Sequence, residues 1–155
     1  MQQKFLERAI ELADLGMRAG QGGPFGAVIV RGDRILAEGQ NQVTSAHDPT
    51  AHAEVCAIRA ACRAVSDFTL AGAEIYSSCE PCPMCLSAIY WARLDRLYFA
   101  ASREDAAEIG FDDAFLYEEI PLAAAERRLP SVQALRSEAR AMMLPWKELP
   151  SERRY

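Results

Sequence analysis

The chain has 155 residues, half of them hydrophobic and a quarter charged, the balance of one compact domain with a sizeable apolar core. No apolar run nears the roughly 18 residues that span a bilayer, and residues 1–4 lead into an amphipathic pattern rather than a secretion leader, so a cytoplasmic protein with no membrane partner is expected. The formal charge of −5 is spread along the chain, with its densest basic spots at Arg127-Arg128 and Arg153-Arg154, which argues against a nucleic-acid substrate.

Apolar residues at Leu6, Ala9, Ile10, Ala13 and Met17 follow helical spacing, and the glycines of residues 20–23 stop it. Residues 27–30 and 35–37 read as strands of a tight hairpin around Gly32-Asp33. Asp48-Pro49-Thr50 then opens an alanine-rich helix over 51–64, with His52 and Glu54 in its first turn. A strand over 74–77, a helix over 82–92 and a strand over 96–100 follow in alternation, which predicts a mixed α/β sheet. Beyond Ser102, helical stretches flank an expected last strand over 132–135, and residues 137–155 form a less regular tail interrupted by Pro145 and Pro150.

Five cysteines are an odd number, and Cys82-Pro83-Met84-Cys85 has a spacing that in a reducing compartment points to metal or redox chemistry rather than disulfides. Catalytic zinc takes three nitrogen or sulfur ligands and keeps its fourth position open, and His52, Cys82 and Cys85 supply that set. Both thiolates can face one ion from a helix's first turn, whose partial positive charge favours their ionised form. Glu54 lies two residues from His52 and so off its helical face, placed to exchange protons with water rather than to bind the metal. Zinc brings the pKa of water to about 7, so a carboxylate there can take a proton and later give it to a departing amine. His-x-Glu followed by Pro-Cys-x-x-Cys is the signature of the zinc deaminases, and His52-Ala53-Glu54 with Pro81-Cys82-Pro83-Met84-Cys85 matches it throughout.

Two rival readings use the same cysteines. A structural zinc site would recruit His47 as fourth ligand, but it needs no Glu54, and Asp48-Pro49 breaks any helix that would align His47 with His52. A thioredoxin-like oxidoreductase would use the Cys-x-x-Cys pair, with Pro130 as an extra feature, and leaves His52-Ala53-Glu54 without a role. Cys56 is one turn beyond His52, and buried small-hydrophobe roles are expected for it, Cys62 and Cys79. Tyr90 and Trp91 are read as core residues beside Ile89.

Longer phrases carry a resemblance. Gly23-Pro24-Phe25-Gly26-Ala27-Val28, Glu38-Gly39-Gln40-Asn41, Asp48-Pro49-Thr50-Ala51-His52-Ala53-Glu54, Cys79-Glu80-Pro81-Cys82-Pro83-Met84-Cys85, Ile89-Tyr90-Trp91-Ala92-Arg93 and Gly110-Phe111-Asp112-Asp113 together resemble the bacterial guanine deaminases of the cytidine-deaminase superfamily. The resemblance implies a three-layer α/β/α fold with a five-stranded mixed sheet, one domain over residues 1–155, and one Zn2+ per chain. It implies replacement of the 2-amino group of guanine by oxygen, giving xanthine and ammonia. Asn41 and the backbone of Ala53 would hydrogen-bond the purine, Phe25 would contact its face, and Asp113 would assist proton movement at the amine. Tyr155 and the tail of residues 137–155 would cap the pocket by crossing to the partner of a homodimer. His47 matches no functional position. A deaminase of tRNA adenosine shares the His-Ala-Glu segment and the cysteine pair, but a capped pocket and an acidic chain suit a small neutral purine better. Acceptance of guanosine, triazines or other aminopurines is left open by the sequence.

Overall fold

In the computed structural model residues 1–150 are described, and the chain divides into two compact units, Met1–Ala114 and Phe115–Tyr155. The first opens with α1 (Gln3–Arg18), then β1 (Gly26–Arg31), β2 (Arg34–Gln40), the short α2 (Val43–Ala46), α3 (Ala53–Val65), β3 (Glu74–Cys79), α4 (Pro83–Trp91), β4 (Arg96–Ala101) and α5 (Arg103–Glu108). The strands form one sheet in the order β2-β1-β3-β4. β1 is antiparallel to β2 and β3, whereas β3 and β4 are parallel and joined through α4. The sheet is mixed, as expected.

Alternation along β1 explains the layers, because successive side chains leave a strand on opposite faces. Val28 and Val30 pack with Tyr76 against Phe5, Ala9 and Leu12 of α1. Ala27 and Ile29 pack with Ile75 against Ala53, Ala57 and Ala61 of α3 and Ile89 of α4. A sheet covered on both faces needs strands buried throughout, and Gly26–Val30 are all buried.

The buried stripe of α1 differs from the expected one. Phe5, Ala9, Leu12, Ala13 and Gly16 face inward, while Ile10 and Met17 are exposed. Small residues hold the centre because the helix lies directly on β1: a Cβ at Gly26 would strike the carbonyl oxygen of Ala9 and the amide of Ala13. Gly39 does the same for α3, where a Cβ would strike the carbonyl oxygen of Ala53 and the amide of Ala57. Tyr90 and Trp91, expected in the core, are 75% and 72% exposed. The inward face of α4 is taken by Cys85 and Ile89, which turns the last two helical residues outward.

The second unit holds most of α6 (Ala114–Glu119), α7 (Arg136–Met143) and a 3-10 turn at Leu144–Glu148. The described sheet has four strands rather than five, and the expected strand over 132–135 is not formed. A strand needs an edge to pair with and a face to bury. Val132 is 93% exposed, and Leu135 takes a left-handed conformation with φ 52° that ends an extended run and caps α7.

Candidate metal and deamination centre

Two helix N-termini meet at one point. His52 is the N-cap of α3 and Cys82 the N-cap of α4, each in extended conformation, with Pro83 opening α4 and Cys85 two positions further on. The helices start two residues and one residue later than the spacing suggests, so His52 and Cys82 stand just ahead of the first turns. The His52 Nδ1 lies 3.6 Å from Cys82 Sγ and 3.4 Å from Cys85 Sγ, and the three ligand atoms are all within 4.8 Å of one another.

These separations fit a metal ion. A tetrahedral zinc with bonds of about 2.0–2.3 Å keeps its ligand atoms about 3.4–3.8 Å apart. The site also favours the anionic ligand that zinc requires. A hydrogen bond from Cys85, reinforced by His52, brings the Cys82 thiol down to about 4, while that same bond and burial push Cys85 up. The hydrogen bond to Cys82 raises His52. His47, φ 51° at the end of α2, is outside this ligand group. Cys56 turns its thiol towards Gln42 Oε1 at 4.0 Å, and Cys79 is buried with its thiol 3.4 Å from the Ser102 carbonyl oxygen.

Glu54 is the second residue of α3 and is buried, which raises its pKa. Its Oε1 accepts a hydrogen bond of 3.3 Å from Ser77 Oγ on β3. A carboxyl group buried next to three metal-type ligands, and absent from the ligand group, has the protonation chemistry of a general acid and base rather than of a surface charge.

Asn41 follows β2 and is buried. Its Oδ1 accepts from the amides of Gly23 and Val43 at 3.2 and 3.1 Å, and two backbone N–H donors fix which end of the amide is oxygen. Its nitrogen then points away from both donors. No enclosed polar side-chain atom of the described residues lacks a partner. Ala53 is the first residue of α3, where the amide has no intrahelical acceptor.

Asp113 is half-buried. Burial raises its pKa, and the charge of Cys82 adds to the effect, so the carboxylate stands within electrostatic reach of the ligand cluster. Asp112, by contrast, is exposed and accepts from the Ala114 amide at 2.9 Å. Phe25 meets Phe111 edge to face, with ring centres 4.9 Å apart and planes at 87°. That contact ties the loop carrying Asp113 to the start of β1. Ser77 and Phe111 were not singled out from the sequence. The signal for Ser77 was its place on the inward face of β3, and for Phe111 its position two residues before Asp113. Tyr155 lies outside the described residues.

Residues 1–101 match the family described as the cytidine and deoxycytidylate deaminase zinc-binding region. A guanine deaminase from Bacillus subtilis is 51% identical over 153 residues, covering 99% of this chain and 98% of that protein. The chain belongs to the guanine deaminase family. The X-ray structure of guanine deaminase from Bacillus subtilis matches with a TM-score of 0.95 at 50% identity, covering 100% of this chain and 99% of that one. A tRNA-specific adenosine deaminase from Agrobacterium fabrum is 46% identical over 78 residues, which cover 50% of this chain and 51% of that protein. Membership of the guanine deaminase family sets aside the thioredoxin-like reading, and the match to a tRNA-specific adenosine deaminase from Haemophilus influenzae, 39% identical, reaches 72% of this chain rather than nearly all of it. No helix of the described residues is long and apolar enough to cross a membrane.

Proposed function

We propose that this protein hydrolyses guanine to xanthine and ammonia at one zinc ion per chain, held by His52, Cys82 and Cys85. The observation that carries the reading is the buried Glu54 carboxylate beside a three-ligand cluster at the meeting of two helix starts. A guanine deaminase that matches over nearly all of both chains supports guanine over tRNA adenosine.

When bound, zinc supplies a Lewis acid that brings the pKa of water to about 7. Glu54 takes the proton of the attacking water and holds it close to the purine C2. It then delivers the proton to the exocyclic nitrogen, so that guanine and water leave as xanthine and ammonia. The Asn41 amide nitrogen and the Ala53 N–H orient the ring as donors, and Phe25 packs against its face. Asp113 assists proton movement at the amine.

The two units work as one deaminase domain, in which residues 137–155, with Tyr155, cap the pocket of the partner in a homodimer. Support comes from the second unit taken alone. Val132, Leu135, Met142 and Met143 are exposed, and an apolar groove of about 540 Å3 is lined by Met142, Met143, Pro145, Trp146 and Leu149. Such a surface calls for cover. The proposed setting is cytoplasmic, where the thiolates stay reduced.

The test is ammonia release over a panel of guanine, guanosine, adenine, other aminopurines, a triazine and a tRNA anticodon stem. Guanine should give the largest kcat/KM. Turnover confined to the RNA would overturn the substrate assignment.

A further inference from the structure

The face of β3 that carries Ser77 also carries Ile75, which packs among Ala27, Ile29, Ala53 and Ala57. Ser77 is 2% exposed and sits opposite Ala27 in the sheet. A hydroxyl buried among such neighbours costs free energy unless it is hydrogen-bonded, and an alanine would fill the position more simply. Its bond of 3.3 Å runs to Oε1 of Glu54, on the adjacent helix.

Among the described residues the Glu54 carboxyl group also takes a backbone hydrogen bond at Glu54 and a side-chain contact with the Cys85 thiol. A thiolate that ligates a metal has no proton to donate, so that contact ceases to hold the carboxylate once Cys85 is a ligand. Ser77 then remains as its side-chain donor. The hydroxyl engages Oε1, which distinguishes it from Oε2, an oxygen with no bond to Ser77.

We propose that Ser77 is a positioning residue for the known reaction: it fixes the Glu54 carboxylate through Oε1 so that Oε2 performs the proton transfers. Ser77 touches neither the ligand cluster nor the substrate in this account, and it acts through Glu54. The proposal rests on the deaminase reading above.

The experiment compares S77A, S77T, E54Q and the double variant S77A/E54Q in the zinc-loaded full chain, with guanine kinetics, zinc content and thermal melting. In S77A, kcat should fall roughly tenfold, the size expected for losing one hydrogen bond to a charged group, while KM and zinc stay put. S77T, which restores a hydroxyl on the same Cβ, should regain most of that loss. On the E54Q background S77A should cost nothing further, because the residue through which it acts has lost its function. An unchanged kcat in S77A, or the same tenfold loss on the E54Q background, overturns the proposal, as does a loss explained by zinc release or unfolding. Should S77A fold poorly, S77C fills the site with a weaker donor, and a kcat equal to wild type there also overturns it. If wild type leaves guanine untouched, the substrate reading fails, and the same comparison is run on whichever amine in the panel releases ammonia.

Discussion

Asp112 and Asp113 are neighbours in sequence with different surroundings, and the difference supports the role proposed for Asp113. Asp112 faces solvent and ties down the Ala114 amide, an ordinary turn contact. Asp113 is half-buried within electrostatic reach of Cys82. Asp113→Asn should therefore lower guanine turnover by roughly 10²-fold, the lower end for a proton-transfer group, with zinc retained. Asp112→Asn should stay near wild type. Steady-state kinetics with a zinc assay on both variants decides, and the reverse pattern would move the role by one residue. The ligand types and Glu54 were legible in the sequence because the chemistry requires those residues next to helix starts, which proline and small polar residues mark. Ser77 and Phe111 were not legible, because a serine in a strand and a phenylalanine in a loop acquire meaning only from what lies across the fold.

Helix α3 is positioned by close approach, and Gly39 is where this can be tested. Gly39→Ala puts a methyl group onto the carbonyl oxygen of Ala53, whose neighbours His52 and Glu54 are the proposed metal ligand and proton carrier. Overpacking of this kind costs about 1–3 kcal/mol. Melting should fall by roughly 2–4 °C per kcal/mol in a chain of this length, and guanine turnover should fall with it. Unchanged melting would show that α3 is free to shift. The paired phrase Arg8 and Glu38 clamps α1 to β2 through bonds of 2.7 and 2.8 Å, and the guanidinium holds the Glu38 carboxyl below the usual glutamate range. A depressed folded pKa means that the clamp stabilises fully above the unfolded value of about 4.3 and fades as pH falls through the folded value. Glu38→Gln should melt below wild type at neutral pH and converge with it in acid, as calorimetry over pH 2.5–7 (about that range) would record; a constant gap would contradict the linkage. Helix and strand types were readable from periodicity, but the buried stripe of α1 was not, since large apolar residues suggested a face that the small ones occupy.

Across the full chain, the expected last strand failed because pairing depends on an available edge, which local propensity at residues 132–135 does not report. The tail raises the same issue for function. Removing residues 151–155 should impair guanine turnover with zinc still bound, since excluding water strengthens the electrostatic effect of the site on the reacting carbon. With the tails exchanged in a homodimer as proposed, activity of the intact protein should also fall on dilution below the dimer dissociation constant. Unchanged kinetics in the truncated enzyme would remove the cap.

The decisive measurement is guanine-to-xanthine turnover and zinc content, taken together for wild type and Glu54→Gln. Wild type should release one ammonia per xanthine with one zinc per chain. The variant should keep its zinc and fold while losing roughly 10²- to 10⁴-fold in turnover, because the amide fills the same space and carries no transferable proton. A Glu54→Gln enzyme with more than about a tenth of wild-type turnover would contradict the account.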